Sequence, residues 1–453
     1  MKNFTFFFKR PFLFFFILFS VAACKKEGIK EGGIDFDLNQ LLEEAAPNGS
    51  TTFFQLPDSD DYGSIPQDPN NPITTYKVDL GRMLFHETGL AQAAMLDSGK
   101  GTYSCASCHF AGAGFQAGRH QGIGEGGLGF GKNGEGRVVA HHYAEEELDV
   151  QPIRTPSAMN GAYQRITLWN GQFGATGMNL DTEYAWEVGT PLEANNLGYE
   201  GLETQAIAGL KVHRLDINQD LMEELGYTLA FDQAFSDVPP DERYTREMAG
   251  LAIAAYERTI LANQAPFQRW LQGKENAMNK TEKLGAMLFF GKAQCINCHT
   301  GPALNSMKFY ALGMNDLANM ALPTMGTSPN DKANLGRASF TNRPWDFYKF
   351  KVPQLYNLAD SPFYGHGSSF TSVKAILEYK NVAIPENPNV LSSQLPKTFR
   401  PLNLSEEEID QLATFLEISL RDPELERYQP HQVLSGNCFP NNDQQSAQDL
   451  GCK

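Results

Sequence analysis

Apolar residues recur at helical spacing along much of this chain. From 246 to 262, Met248, Leu251 and Ala255 fall three and four residues apart, with Ile253, Tyr256 and Ile260 close by. That spacing predicts a helix with a broad apolar face. Ser405-Glu-Glu-Glu408 has the form of a capping box, and Ile409, Leu412, Phe415 and Leu416 follow it at helical intervals. The stretch from Ser372 to Lys380 carries Val373, Ile376, Leu377 and Lys380 on one stripe, with Tyr379 at its edge. Strict apolar–polar alternation, the mark of a half-buried strand, is scarce. The fold class expected is mostly α with long loops.

One apolar pattern occurs twice. Leu80-Gly-Arg-Met-Leu-Phe85 is echoed by Leu284-Gly-Ala-Met-Leu-Phe289, and each copy leads into a Cys-x-x-Cys-His run. A repeat of this kind predicts two related units, each with its own core. The first copy carries an extra loop, Glu87 to Lys100. Residues 111–136 are rich in glycine but lack the Lys-Ser/Thr ending and the strand–turn–helix setting of a phosphate loop. A mobile loop is expected there. Residues 25–75, with segments such as Asp68-Pro-Asn-Asn-Pro72, have the composition of a flexible tether.

The chemistry lies in the two Cys-x-x-Cys-His runs, Cys105-Ala-Ser-Cys108-His109 and Cys295-Ile-Asn-Cys298-His299. This is the attachment pattern of a c-type haem: two thiols add to the vinyl groups and the histidine becomes an iron ligand. A zinc site needs no histidine directly after the second cysteine, still less twice. Two covalently bound c-type haems are therefore expected, on Cys105, Cys108 and His109 and on Cys295, Cys298 and His299. The glycine-rich loop then falls over a haem face.

Charge and the remaining cysteines refine this picture. A net charge of −16 argues against nucleic acid and suits a basic partner. Lys2, Lys9 and Arg10 precede an apolar run from Phe12 to Ala23, and Val21-Ala-Ala-Cys24 resembles a lipobox. A signal peptide and a lipid on Cys24 follow, in place of an uncleaved membrane helix. The chain is expected in a bacterial cell envelope, lipid-anchored on the periplasmic or outer-membrane face. Of the seven cysteines, Cys438 and Cys452 remain, and an exported chain favours their disulfide over two free thiols. The expected division is 1–23 signal peptide, 24–75 lipidated tether, 76–240 and 241–430 two haem domains, and 431–453 tail.

Further segments carry a family likeness. Arg154-Thr-Pro-Ser-Ala-Met-Asn160, Leu168-Trp169-Asn-Gly171, Leu202-Glu-Thr-Gln-Ala206, Ala252-Ile-Ala-Ala-Tyr-Glu-Arg258, Lys351-Val-Pro-Gln-Leu-Tyr-Asn357 and Ser361-Pro-Phe-Tyr-Gly-His-Gly-Ser368 stand in that order. From about Val78 to Arg427 the chain resembles the bacterial di-haem cytochrome c peroxidases, which include MauG-like enzymes. The resemblance implies two cytochrome-c-like α domains packed against each other. The first haem would react with hydrogen peroxide, and the second would relay electrons from a small cytochrome c or cupredoxin. Two other functions compete: a MauG-like peroxide-dependent oxidase of a protein or organic substrate, and a non-enzymatic electron-transfer cytochrome.

The same resemblance suggests roles for particular residues. Trp169 matches the tryptophan lying between the haems. Gln205 matches the peroxide-pocket glutamine. The accompanying glutamate falls on Leu215, so either His213 or Asp216 substitutes for it or the pocket lacks the acid. His120, His141 and His142 follow the first haem but miss the family's spacing for a ligand histidine. The position that binds interdomain calcium through an asparagine is Arg154, which has no acceptor for a metal. Calcium is therefore doubtful, and an Arg154–Asp360 ion pair is expected in its place. The sixth ligand of the second haem falls on Tyr379, with Met307, Met314, Met320 and Met325 as competitors.

Overall fold

In the computed structural model each copy of the repeated segment is a helix, Thr75–His86 and Lys280–Phe290. Thr74 and Asn279 cap these helices, their side chains accepting from the backbone N–H groups of Lys77 and Glu282. Each helix crosses a partner at the glycine of the repeat. A Cβ at Gly81 would lie 1.9 Å from the Ala252 carbonyl oxygen of helix Arg246–Thr259, and one at Gly285 would lie 2.1 Å from that of Gln411 in helix Glu406–Thr414. No side chain fits at either crossing. The repeat is thus a packing device: the glycine brings two backbones together, and the closing Phe85 and Phe289 are buried beside them.

The described residues are 1–3 and 33–452, so most of the expected signal peptide and the expected lipobox with Cys24 lie outside them. Within that range the chain is mostly helical with long loops. The strands are two short antiparallel pairs, Gly127–Leu128 with Val138–Val139 and Ser306–Tyr310 with Phe350–Val352. Helix Arg246–Thr259 lies between Thr75–His86 and Gly201–Val212 and is buried at every position from Ala249 to Thr259. Leu80, Leu84, Ile253 and Tyr256 share one apolar core with Phe289, Leu412 and Phe415, so the two helix groups are packed as one body. The capping box at Ser405 and Glu408 forms as the sequence predicts. Among the described residues no helix is long and apolar enough to cross a membrane.

From Gly33 onward the expected tether is instead folded. Helix Gly33–Ala45 packs on Lys280–Phe290 and buries Leu38 and Leu42. Its Asp35 accepts from the Trp270 indole at 2.7 Å and pairs with Lys283 at 2.6 Å. Farther along, the Leu56 N–H donates to Gln268 at 2.8 Å, Asp68 accepts from the Glu200 N–H at 2.6 Å, and Asn71 donates to the Leu251 carbonyl at 2.9 Å. The polar, turn-rich composition belongs to a strap whose polar groups are satisfied inside the fold, which composition alone does not distinguish from a tether.

The tail also binds the body. Cys438 and Cys452 are joined by a disulfide. The Asn442 N–H donates to the Thr102 carbonyl at 3.0 Å, and the hydroxyls of Ser104 and Ser107 both donate to the Pro440 carbonyl at 3.0 Å. The first Cys-x-x-Cys-His turn is therefore held by the C-terminus. So is the glycine-rich segment, where Asp449 accepts from the N–H groups of Phe130 and Gly131 at 2.8 and 2.9 Å. Buried Arg137 donates to the carbonyls of Ile123 at 2.6 Å and Gly124 at 2.7 Å and meets Asp443 at 3.3 Å. Instead of the mobile loop expected, the segment winds around a guanidinium. Its glycines allow close backbone turns about that group.

The disulfide closes a loop across a separation of 14 residues. Replacing both cysteines by serine is expected to cost about 3 kcal/mol of stability. It should also raise hydrogen exchange in 101–137, the region the tail clamps. A lower melting temperature with unchanged exchange there would contradict the clamp.

Candidate functional site

The two Cys-x-x-Cys-His runs fold alike. Each starts with a single 3-10 turn, Cys105–Ser107 and Cys295–Asn297. Each then turns back so that the histidine N–H donates to the first cysteine's carbonyl, at 3.1 Å for His109 and 2.9 Å for His299. The His109 Nδ1–H donates to the Phe115 carbonyl at 3.1 Å, and the His299 Nδ1–H to the Leu304 and Pro353 carbonyls, both at 3.1 Å. A carbonyl partner fixes the proton on Nδ1 and leaves the Nε2 lone pair free. Burial pushes both imidazoles down to about 4, so both are neutral, as an iron ligand must be.

All four thiols are free, and all six motif residues open onto one cavity of about 960 Å³. That is the upper end of the range for small-molecule sites. Phe85 and Phe289 also line it. Among the described residues no three His, Cys, Asp or Glu side chains converge as a bare metal centre requires. Paired thiols and a free imidazole nitrogen, each present twice around one large apolar hollow, fit two covalently held haems.

Above the first motif the wall is helix Gly201–Val212, which carries Gln205 on the cavity lining. His213 follows as its C-cap residue. The His213 Nδ1 meets both carboxylate oxygens of Asp149, at 3.0 and 2.9 Å. Asp149 is buried, while the His213 side chain keeps 37% of its surface, enough for its Nε2 to be reached from the cavity. Burial alone would lower the His213 imidazole, but the Asp149 charge and hydrogen bond outweigh it and hold the group above its usual value. Leu215, where the resemblance places an acid, is buried on the lining. Asp216 bonds to Arg246 at 3.0 Å and does not line the cavity, so of the two expected substitutes the structure brings His213 to the site.

Sequence reasoning missed two acids. Asp149 lies in a loop and carries no motif of its own. Glu257 is buried on the lining, and its Oε2 has no hydrogen-bond partner. Burial pushes it up to about 8, so it is protonated at neutral pH. Its one sequence signal is an acid inside an otherwise apolar helical stretch.

Trp169 stands where the two halves meet. Its indole N–H donates to the Arg154 carbonyl at 2.8 Å, its own carbonyl accepts from the Lys351 N–H at 2.7 Å, and its ring lies 6.4 Å from His366. The expected Arg154–Asp360 pair does not form. Arg154 donates to Gln116 and Ser361, both at 2.8 Å, whereas Asp360 is held by Arg421 at 2.7 Å and Asn357 at 2.7 Å. Arg421 and Asn357 between them occupy both oxygens of Asp360.

Tyr379 is a second correction. It is buried, its hydroxyl donates to the Leu312 carbonyl, and it is not on the cavity lining. Burial holds the phenol well above its usual value. Met314 does line the cavity, with Gly365 packed against its sulfur, and Met307, Met320 and Met325 do not. Elsewhere His120 bonds to the Pro323 carbonyl at 2.8 Å, and His142 to Ser98 at 2.9 Å.

The family model described as di-haem cytochrome c peroxidase matches residues 75–276. The methylamine utilization protein MauG of Methylorubrum extorquens is 27% identical over 363 residues, covering 80% of this chain and 82% of that protein. A cytochrome-c peroxidase, IdrP1, of Denitromonas iodatirespirans is 26% identical over 379 residues, with 79% and 85% covered. The cytochrome c peroxidase Ccp of Escherichia coli is 28% identical over 313 residues, 68% of this chain and 54% of its own. In three dimensions the chain resembles a MauG-like protein associated with microbial copper homeostasis, with a TM-score of 0.55, 23% identity, and 82% and 95% coverage.

The geometry around the second motif yields a test by substitution. Tyr379→Phe is expected to leave the optical and paramagnetic resonance spectra of the ferric holoprotein unchanged, and to cost about 1 kcal/mol for the lost hydrogen bond. Met314→Ala is expected to alter the signals of one haem. The reverse pattern would return Tyr379 to the iron.

Proposed function

We propose, from the premise that this chain belongs to the di-haem cytochrome c peroxidase family and carries two c-type haems, that it reduces hydrogen peroxide to water with electrons from a small redox protein. The observation that carries this reading is the one cavity shared by both attachment motifs, with a histidine–carboxylate pair on its wall. Bound there, the haems supply two redox-active irons in two cytochrome-c-like domains, matching the two electrons peroxide consumes.

The chain's own residues handle the proton. Splitting peroxide requires moving a proton from one oxygen to the other and holding the departing oxygen with a donor. Asp149 keeps the His213 proton on Nδ1, which leaves Nε2 free to act as base and then acid on the cavity lining. The Gln205 amide can donate toward the departing oxygen. Trp169, in contact with Arg154, Lys351 and the His366 ring, suits passage of charge between the halves. Met314 suits the second iron as ligand, because a thioether favours the reduced state that an electron-receiving centre needs. This favours the peroxide reductase over the MauG-like reading, for which a tyrosine ligand was the main sequence support.

The donor's chemistry follows from charge. At −16 this chain attracts a basic partner, such as a small cytochrome c or a cupredoxin. Val21-Ala-Ala-Cys24 supports a lipid anchor on Cys24 and a place in the bacterial envelope, where such donors diffuse.

The test is peroxide turnover with a reduced small cytochrome c, followed against pH. His213 acts as a base only when neutral, so turnover should rise with pH through its raised pKa. Asp149→Asn removes the raising charge and leaves burial, so that limb should move to lower pH. His213→Gln should remove the limb and cut turnover by about a hundredfold or more. A two-haem protein that neither consumes peroxide nor changes its spectrum with it would be an electron carrier only. Peroxide consumed while the donor stays reduced would favour an oxidase of another substrate.

A further inference from the structure

Among the described residues, the buried cation Arg154 has no carboxylate within ion-pair distance. The residue is on the cavity lining, next to Gln116 and Phe363 which also line it, and keeps 2% of its surface exposed. Nη1 donates to the Arg119 carbonyl at 3.2 Å, and Nη2 to Gln116 and Ser361 at 2.8 Å each. These three bonds engage three of the five guanidinium N–H groups, and every acceptor is neutral. The Phe363 ring, 5.8 Å away, adds an aromatic face but no charge. Asp360, the nearby carboxylate on the facing loop, is occupied by Arg421 and Asn357. Burial pushes Arg154 down to about 9, so it stays charged at neutral pH.

A desolvated, unpaired charge is among the most costly features a fold can hold, and buried cations are normally paired. A neutral side chain could bond to Gln116, Ser361 and Arg119 without that cost. The position explains why a charge is kept. The Arg154 N–H donates to the His366 carbonyl at 2.8 Å and its carbonyl accepts from Trp169, so the residue stands where the two halves of the cavity join. Each haem carries two carboxylates, and a guanidinium fork matches a carboxylate in shape and charge. Of the other cavity-lining cations, Lys332 and Arg400 are exposed to solvent, while Lys351 and the half-buried Lys380 are pushed down to about 7 and 8, which leaves Arg154 as the more persistent charge inside the fold.

We propose that Arg154 is the counter-charge for haem carboxylates at the junction of the two sockets, and that it thereby raises the reduction potential of at least one haem. The inference rests on the two-haem reading. The sign follows from electrostatics: the ferrous haem has one positive charge fewer than the ferric, so a fixed cation nearby favours reduction.

The experiment measures midpoint potentials by spectroelectrochemical titration of the holoprotein, with haem content checked by absorbance and mass. Arg154→Gln should shift at least one midpoint to more negative values. Arg154→Lys keeps the charge and should stay close to the parent. Equal shifts in the two variants, or no shift in Arg154→Gln with both haems present, would overturn the proposal. If Arg154→Gln does not take up both haems, Gln116→Glu decides, because a carboxylate beside the guanidinium cancels its charge. A negative shift there supports the proposal, and unmoved potentials overturn it. A parent protein without two haems would instead refute the premise, which the haem content shows separately.

Discussion

The structure depends on two close backbone crossings. At Gly81 and Gly285 one helix lies so near another that only hydrogen fits between the axes. Each crossing places the end of its helix, with Phe85 or Phe289, against a Cys-x-x-Cys-His turn. Each turn then aims its histidine by hydrogen bonding from Nδ1 to backbone carbonyls, that of Phe115 for His109 and those of Leu304 and Pro353 for His299. A larger side chain at either glycine would push the helices apart and open the apolar floor of the site. The repeat is therefore a constraint on backbone distance before it is a sequence signature.

What distinguishes the two halves is polar. The first has a histidine held by a buried carboxylate, an amide, and a protonated Glu257. The second has a methionine and a half-buried lysine, Lys380. A side equipped to move protons next to a side equipped to favour electrons fits a two-electron reduction that also consumes protons. Trp169 and Arg154 sit where these environments meet and touch both. The C-terminal strap adds a further asymmetry, since it clamps the first motif through Pro440.

Features set by local chemistry were legible in the sequence. The helices around Leu251 and Leu412, the capping box, the repeat and the attachment motifs each follow from residue types at short spacing. The disulfide followed from counting cysteines in a chain expected to be exported. Features set by long-range pairing were not legible. The polar strap from 33 to 75 has the composition of a linker, but its backbone and side-chain polar groups bond to Gln268, Glu200 and Leu251 far along the chain. Asp149 gained meaning only when its loop met His213. Arg154 and Asp360 occupy facing loops, yet Arg421, which no pattern singled out, reaches Asp360 first. Tyr379 fell at the right interval on a correctly read helix, but the Leu312 carbonyl captured its hydroxyl. Position along a chain does not decide which of several neighbours a polar tip will bond.

The central claim is that two haems in one cavity act as a single two-electron unit. Anaerobic titration of the fully reduced holoprotein with hydrogen peroxide, followed by the absorption bands of both haems, tests it directly. The account predicts that both haems lose their reduced bands together and are fully oxidised at a single equivalent of peroxide. Oxidation confined to one haem, with the other still reduced after that equivalent, would contradict it.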